Sequence, residues 1–215
     1  MILKVLKLNT GLGDLTNCYI VADDKTKEAF IIDPGAKAEK IIEMVNILEV
    51  KVKYIIVTHC HGDHIGALNK VKEKLGGKIL VHRLDAEGIY NEDINLSYYI
   101  GMDSPELEAD SRLDDKDKIH LGNIEFEIIH TPGHTQGGIC IYCKEYKMIF
   151  TGDTLFRGTW GRTDLPTGDF ESIINSITNR IMSLPEETIV YPGHGKSTII
   201  KEEKSIYLEL KPREG

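Results

Sequence analysis

The segment Thr58-His59-Cys60-His61-Gly62-Asp63-His64 directly follows the apolar run Tyr54–Val57. Six consecutive residues of this segment, His59 to His64, contain three imidazoles and a carboxylate. Zinc, iron and manganese all accept these groups as ligands. In an extended or turning segment, His59 and His61 project to the same side. Asp63 and His64 lie where a helix begins, from which they can reach a second point. The segment therefore predicts a metal site at the end of a strand.

The same arrangement, an apolar run followed by a turn and a metal-competent side chain, recurs along the chain. The other examples are Ile128-Ile129 before His130-Thr131-Pro132-Gly133-His134, Met148–Phe150 before Thr151-Gly152-Asp153, Ile189–Tyr191 before Pro192-Gly193-His194, and Phe30–Ile32 before Asp33-Pro34-Gly35. A lone histidine after a strand is usually an ordinary polar residue. Ligand sites of layered α/β folds, however, form at strand ends, so the repetition favours one shared site.

The predicted ligands are too many for one tetrahedral zinc, which takes four. We therefore expect two divalent metal ions, with zinc as the expected element and iron or manganese as alternatives. The predicted metal ligands are His59, His61 and His134 for one ion, Asp63, His64 and His194 for the other, and Asp153 as a bridge.

Few protein ligands for each metal leave open positions, which is typical of a catalytic site. Two such metals would lower the pKa of a water from 15.7 towards about 7 and so supply a metal-bound hydroxide at neutral pH. Asp63 is the predicted catalytic residue, because it can orient that hydroxide or pass a proton to the leaving group. The sequence thus predicts hydrolysis of an ester, thioester, lactone, amide or phosphodiester.

Short runs rich in Ile and Val alternate with helical patterns, which predicts an α/β protein with two mainly antiparallel sheets covered by helices. The predicted strands are Leu3–Leu8, Tyr19–Val21, Phe30–Ile32, Tyr54–Val57, Ile79–Val81, Ile124–Ile129, Ile139–Tyr142, Met148–Phe150 and Ile189–Tyr191. The predicted helical stripes are Ile41-Ile42-Val45-Leu48, Ile65-Leu68-Val71-Leu75 and Phe170-Ile173-Ile174-Ile177-Ile181, the last capped by Asp169. The acidic stretch from Asp85 to Lys118 is expected to be a surface excursion with some helix.

Length and composition predict a single domain over residues 1–215, and a small molecule is the expected substrate of the predicted hydrolysis. The 26 basic and 34 acidic residues give a net charge of -8, which disfavours nucleic acid as a partner. No apolar run approaches the roughly 20 residues of a membrane helix, so no membrane partner is expected. The four cysteines are too few for a disulfide framework, and we expect a cytoplasmic protein with reduced thiols. The oligomeric state is left open.

The residues His59-Cys60-His61-Gly62-Asp63-His64, followed by His134, Asp153 and His194, resemble the metallo-β-lactamase superfamily. That resemblance implies a four-layer αββα sandwich with the site at one edge. True class B β-lactamases carry a cysteine in place of Asp153, so antibiotic hydrolysis is not expected.

The run Thr151–Phe156 is similar to the signature of the glyoxalase II-like group, which hydrolyses S-(2-hydroxyacyl)glutathione thioesters. Only 21 residues follow His194, too few for the C-terminal domain that binds glutathione in full-length members. The resemblance therefore implies a short, single-domain glyoxalase II-like hydrolase.

Two alternatives remain open. The segment Gly161–Leu165 is also similar to persulfide dioxygenases, which hold one iron through residues matching His59, His134 and Asp153. The second alternative is a hydrolase that acts on a different ester or on a lactone, with the same predicted two-metal site.

Two arginines follow Asp153 closely enough to line the site. Arg157 and Arg162 are predicted to bind a substrate carboxylate, and the alternative is a salt bridge to Asp164 or Asp169.

Three further residues have both a functional and a structural interpretation. Asp33 is predicted to orient a metal ligand or its loop, although Asp-Pro-Gly is also a plain turn signature. Phe156 and Trp160 could form an apolar wall for the substrate, but ordinary packing is the favoured interpretation of both.

Overall fold

The structure is a computed structural model that describes residues 3–10 and 15–207. Within those residues, twelve strands form two six-stranded sheets. The strands are β1 (Leu3–Thr10), β2 (Thr16–Asp23), β3 (Glu28–Ile32), β4 (Lys51–Ile56), β5 (Lys78–His82), β6 (Ser111–Leu113), β7 (Lys118–Leu121), β8 (Ile124–His130), β9 (Ile139–Cys143), β10 (Met148–Gly152), β11 (Ile189–Pro192) and β12 (Thr198–Ile199). All of the predicted strands are present, while the short β6, β7 and β12 were not predicted.

The α-helices of the described residues are α1 (Ala38–Leu48), α2 (Gly62–Ile65), α3 (Leu68–Leu75), α4 (Glu92–Asn95), α5 (Phe170–Asn175) and α6 (Ile200–Tyr207). Single 3₁₀ turns cover Glu87–Ile89 and Tyr98–Ile100, and a π-helical turn covers Ser176–Ile181. None of the helices in this part of the chain has the length and apolar character needed to cross a membrane.

The first sheet has the order β1-β2-β3-β4-β5-β6, and the second has β12-β11-β10-β9-β8-β7. The prediction of mainly antiparallel sheets is correct for the second sheet, where β10 and β11 form the one parallel pair of the described strands. It is wrong for the first sheet, where β3-β4, β4-β5 and β5-β6 are all parallel. The helices α1 and α3 explain the difference, because each serves as the crossover that parallel neighbours require.

Alternate side chains of β2 pack into two different layers of the hydrophobic core, one on each face of the first sheet. Cys18 and Ile20 face a cluster that includes Ile41 of α1 and Leu68 of α3. Tyr19 and its alternate neighbours face the opposite side, towards the second sheet. Successive side chains of a strand point to opposite faces, so one strand supplies both layers.

Two further contacts complete the layers. Phe30 of the first sheet meets Phe126 of the second edge-to-face between the sheets, with ring centroids 5.1 Å apart. On the far side of the second sheet, Ile149 packs with Ile173 and Ile177. The order helix, sheet, sheet, helix confirms the four-layer αββα sandwich.

The register brings several strand ends to one edge. Ile32 of β3 pairs with Ile56 of β4, and Gly152 of β10 pairs with Pro192 of β11, both in parallel. The strand β8 runs in the same direction as β10, because each is antiparallel to β9. At this edge the Ile139 N–H donates to the Thr58 carbonyl at 2.9 Å, which ties the second sheet to the first.

The predicted helical stripe from Ile65 to Leu75 is divided into α2 and α3. The break lies at Gly66 and Ala67, where the Ala67 N–H donates to the Pro34 carbonyl at 2.9 Å instead of continuing the helix. A Cβ on Gly66 would stand 2.6 Å from the Gly35 carbonyl oxygen. The close approach of the Asp-Pro-Gly turn therefore interrupts the helix.

The predicted helix from Phe170 to Ile181 is also only partly regular. The Asp169 carboxylate caps it as expected, accepting from the Ser172 N–H at 2.7 Å, but Phe170 is exposed and does not belong to the buried stripe. The second half is π-helical, and there the Thr178 hydroxyl donates to the Ile174 carbonyl at 2.8 Å. Such local hydroxyl bonds compete with the regular helical pattern.

Candidate metal centre

The first donor group consists of His59, His61 and His134, whose ligand atoms all lie within 4.8 Å of one another. All three side chains are buried. The Nδ1 of His61 and the Nε2 of His134 face each other at 2.9 Å. The group therefore joins the loop after β4 to the loop after β8, as the sequence predicted.

The second donor group consists of Asp63, His64 and His194, again with ligand atoms within 4.8 Å of one another. The Nε2 of His194 lies 3.3 Å from Asp63 Oδ2 and 3.3 Å from His64 Nε2. Asp63 and His64 come from α2 and His194 follows β11, so this group also spans the two sheets.

The Asp153 carboxylate lies between the two groups. Its Oδ2 is 3.5 Å from His134 Nε2 on one side and 3.3 Å from His194 Nε2 on the other. Its Oδ1 is 3.4 Å from His64 Nε2. This is the position that a bridging carboxylate between two cations would need.

Hydrogen bonds at the rear of the imidazoles aim their other nitrogens into the centre. The Nδ1 of His64 lies 2.9 Å from Asp33 Oδ2, the Nδ1 of His134 lies 2.7 Å from the Arg162 carbonyl, and the Nδ1 of His194 lies 3.1 Å from the Leu15 carbonyl. Such partners fix the tautomer and the ring orientation of a metal-ligating histidine.

Asp33 is placed where it can orient the site. Its carboxylate accepts from the Thr58 N–H at 2.7 Å and from the Thr58 hydroxyl at 2.6 Å, besides its contact with His64. Asp33, which follows β3, therefore connects Thr58 in the loop after β4 with His64 of the second donor group. Asp33, His59 and His64 form a third possible donor group, with ligand atoms within 4.8 Å of one another. The oxygens of Asp33 are already occupied by the Thr58 and His64 donors, however, which suits an orienting role better than a ligand role.

The charge states only partly match a cation site. Burial alone would lower the pKa of His64 and of His194, but Asp63 and Asp153 beside them raise both, that of His194 to about 9, so these two imidazoles lose a proton when they bind a metal. Burial, reinforced by His134, lowers the pKa of His61 to about 3, so this imidazole is neutral and able to bind a metal. Burial alone would raise the pKa of Asp63 and of Asp153, but His64 and His194 beside them hold both pKa values well below the usual range. Both carboxylates are therefore ionised at neutral pH.

Three buried polar atoms of the centre have no hydrogen-bond partner within the described residues: His59 Nε2, His61 Nε2 and Asp153 Oδ1. Buried polar atoms are nearly always satisfied, and an exception calls for an unseen ion or water. Ionised carboxylates among inward-facing imidazoles are the donor set of divalent metals. The residues present therefore fit divalent metal ions.

A pocket of about 290 Å³ opens onto the centre. Besides the predicted ligands it is lined by Asn95, Leu96, Ile100, Phe156 and Leu165. The Phe156 ring stands edge-on to the His194 ring, with centroids 5.6 Å apart. One wall of the pocket is thus apolar and the other carries the donor groups. A larger groove of about 720 Å³ lies elsewhere and contains no histidine.

The structure places the two predicted arginines differently. The Arg162 guanidinium forms a bidentate pair with Asp164, with both N–O distances 2.7 Å, which is the alternative that the sequence left open. Arg162 does line the pocket, but Arg157 does not, and its guanidinium lies 3.9 Å from Glu202. The favoured interpretation of Trp160 as packing is confirmed by its contacts with Phe170 and Tyr207.

Sequence reasoning missed several residues that shape the site. Thr16 donates its hydroxyl to Asp63 Oδ2 at 2.8 Å, and Asn17 donates its backbone N–H to the Gly193 carbonyl at 2.7 Å. Asn95, Leu96 and Ile100 come from the acidic excursion, which was expected only at the surface. No motif marks them, because their proximity to the site depends on the tertiary fold.

Comparison with known proteins identifies the sequence family. Residues 11–194 match the family model described as the metallo-beta-lactamase superfamily. The hydroxyacylglutathione hydrolase GloC of Haemophilus influenzae is 37% identical over 192 residues, which are 87% of this chain and 89% of that protein.

Two solved structures are also similar over most of their length. The BLEG-1 B3 metallo-beta-lactamase superposes with a TM-score of 0.91 at 33% identity, covering 97% of this chain and 100% of that one. A di-iron-bound form of TTHA1623 superposes with a TM-score of 0.80 at 33% identity, covering 91% and 96%.

Proposed function

The chain belongs to the metallo-β-lactamase superfamily of metal-dependent hydrolases, and on that premise we propose that it cleaves small thioesters such as S-(2-hydroxyacyl)glutathione at a centre of two divalent metal ions. Zinc is the proposed metal. The observation that carries the proposal is the Asp153 carboxylate between two complete donor groups. A site for one ion would not need the second group.

Two bound divalent ions would supply an activated water and polarise the carbonyl under attack. His59, His61 and His134 would hold one ion, and Asp63, His64 and His194 the other. Asp63 is ionised and partly exposed at the pocket, so in this proposal it accepts a hydrogen bond from the attacking water and orients it, or passes a proton to the departing thiolate. The thiolate is a good leaving group, so little acid assistance is needed.

The pocket favours a small acyl group. Leu96, Ile100, Phe156 and Leu165 provide the apolar part of the lining, and a volume of about 290 Å³ suits a short chain. The likeness to GloC, whose name states a hydroxyacylglutathione hydrolase, supports a thioester over other acyl compounds. The Arg162 side chain, although paired with Asp164, lies at this pocket and is the proposed contact for a substrate carboxylate.

The four cysteines are buried and free, as reduced thiols are in the cytoplasm, and we propose that location. The substrate is a small molecule in this proposal, and neither nucleic acid nor a membrane is a partner.

The test combines metal content with turnover. Protein purified without added metal should contain two divalent ions per chain and hydrolyse S-(2-hydroxyacyl)glutathione. Asp153→Asn should lower the metal content and reduce kcat/KM by at least about 100-fold, since it removes a charge from both groups. Asp24→Asn is the matched control, because Asp24 lies between β2 and β3, away from the donors, and pairs with Lys4 and Lys27. Full thioesterase activity after complete metal removal would contradict the proposal.

Two other functions are outcomes of the same test. Oxygen consumption with glutathione persulfide by protein holding a single iron would favour a persulfide dioxygenase that uses His59, His134 and Asp153. The sequence disfavours β-lactam hydrolysis because Asp153 stands in place of a cysteine, but the likeness to BLEG-1, named a B3 metallo-beta-lactamase, makes it a second candidate. A β-lactam and a lactone therefore belong in the substrate panel.

A further inference from the structure

Asp85 is a buried carboxylate close to the metal centre but outside both donor groups. It lies three residues after the end of β5, and only 1% of its surface is exposed. Burial raises the pKa of a carboxyl group, and that of Asp85 is raised accordingly. A buried carboxylate needs several donors to be stable, and Asp85 has them.

The donors to Asp85 come from two different loops. Its Oδ2 accepts from the Cys60 N–H at 3.2 Å and from the Thr135 hydroxyl at 2.7 Å. Its Oδ1 accepts from the Gly137 N–H at 2.7 Å. A Cβ on Gly137 would stand 2.4 Å from Asp85 Oδ1, so the loop can approach this closely only with glycine there.

These contacts flank the first donor group. Cys60 lies between His59 and His61, and Thr135 directly follows His134. Asp85 thus connects the two loops that carry all three imidazoles of the group. Three hydrogen bonds to one buried carboxylate therefore tie these loops together.

The second donor group is held by other contacts. Asp63 receives the Thr16 hydroxyl, His64 is bonded to Asp33, and His194 is bonded to the Leu15 carbonyl. None of the hydrogen bonds found for Asp85 in the described part of the chain reaches these residues.

We propose that Asp85 is a positioning residue that sets the spacing of His59, His61 and His134, and so determines the affinity of one metal ion but not of the other. The inference rests on the proposed two-metal function. Partners that orient ligands typically contribute about 10- to 100-fold in metal affinity, and an effect of this size is expected at the first group alone.

The experiment measures Zn²⁺ affinity, by competition with a chromophoric chelator, in two backgrounds that each keep one donor group. His64→Ala/His194→Ala keeps the first group, and His59→Ala/His61→Ala keeps the second. Asp85→Asn should weaken Zn²⁺ binding by about 10- to 100-fold in the first background and by less than about 2-fold in the second. Equal losses in both backgrounds, or no loss in the first, would overturn the proposal.

Asp23→Asn is the matched control. Asp23 is also fully buried and accepts from a backbone N–H (Lys25, 3.1 Å) and a threonine hydroxyl (Thr26, 2.8 Å), but it lies in a turn that carries no ligand. It should leave Zn²⁺ affinity unchanged in both backgrounds. An equal loss from Asp23→Asn would mean that general destabilisation explains the result and would reject a positioning role.

A second variant keeps the test decisive if Asp85→Asn does not fold. Thr135→Val removes one donor to Asp85 at nearly constant volume, and it should weaken Zn²⁺ binding in the first background by a smaller factor. Unchanged affinity in Thr135→Val would count against the proposal. If the unmodified protein binds only one ion, the two-metal function is contradicted, while the one-group backgrounds still decide the role of Asp85.

Discussion

At the scale of single residues, the centre depends on backbone that can approach its ligands without a side chain in the way. Gly193 precedes His194, and a Cβ placed on it would stand 2.2 Å from Asp153 Oδ1 and 2.8 Å from His64 Cε1. Its φ is not among the positive values of the described residues, so the backbone itself would tolerate alanine. Space for the Asp153 carboxylate is therefore the reason for glycine at this position.

Gly193→Ala should reduce metal binding much more than stability. The added methyl must displace the Asp153 carboxylate from its place between the donor groups, and we expect metal affinity to fall by about 10- to 100-fold. Metal content after dialysis and the thermal midpoint of the metal-free protein are the two measurements.

Gly195→Ala is the control for this substitution. A Cβ there meets nothing within 4 Å, but its φ of +72° is unfavourable to alanine. It should lower stability by about 1 kcal/mol and leave the metal content unchanged. Normal metal content in Gly193→Ala would show that the carboxylate can move without consequence.

At the scale of elements, the ends of β5 and β8 are joined by two stacked imidazoles. The rings of His82 and His130 are nearly parallel, with an interplanar angle of 12° and centroids 4.1 Å apart. His82 is buried, and burial together with His130 lowers its pKa to about 4. The folded protein therefore keeps His82 neutral at a pH where the unfolded chain would protonate it.

His82 should make the protein less stable in mild acid. Because its pKa in the folded state is below that in the unfolded chain, about 6.5, the unfolded chain gains protons first as pH falls from 6.5 to 4. The free energy of unfolding should fall in that window by up to about 3 kcal/mol from this residue. Its contribution is constant above pH 6.5.

Urea unfolding of the wild type and of His82→Gln at pH 7.5 and pH 4.5 measures the contribution of His82 to the free energy of unfolding. The decrease between the two pH values should be smaller in His82→Gln, because glutamine does not titrate. The titrating groups that do not contact His82 are the same in both proteins and cancel in the comparison, so the difference reports on His82 and its stacked partner His130. Equal decreases would contradict the prediction.

The elements also show what the sequence could and could not predict. The donor residues could be predicted from the sequence because His59, His61, Asp63 and His64 lie within six residues of one another. Each of the other donors follows an apolar strand. The parallel pairing of β4 with β5 could not be predicted from the sequence, because a short apolar run has the same pattern in parallel and antiparallel sheets.

Residues that act through tertiary contacts were missed for a similar reason. Asp85 follows an ordinary strand, and only the fold reveals that it receives donors from two distant loops. Leu96 and Ile100 lie in an acidic stretch without clear periodicity, yet they form a wall of the pocket. Local pattern therefore predicted the donor residues that the fold brings together, and the tertiary structure supplied the contacts that support them and the shape of the pocket.

At the scale of the whole molecule, the donor groups connect the two sheets. His59, His61, Asp63 and His64 follow β4 of the first sheet, whereas His134, Asp153 and His194 follow strands of the second. Each group contains members from both sheets, so an ion in either group would link them. Bound metal is thus expected to stabilise the fold as well as to serve catalysis.

Metal removal should therefore lower the thermal midpoint of the whole protein. An ion that binds only the folded chain stabilises it by about 4 kcal/mol when its concentration is 1,000 times its dissociation constant. We expect the midpoint of the chelated protein to rise with added Zn²⁺ in a concentration-dependent way, as measured by calorimetry. The variant His59→Ala/His61→Ala retains one donor group. Its thermal midpoint should rise less with added Zn²⁺, because fewer contacts between the sheets depend on the metal. The same midpoint with and without metal would mean that the ion does not bind the folded chain in preference to the unfolded one, and would contradict the prediction.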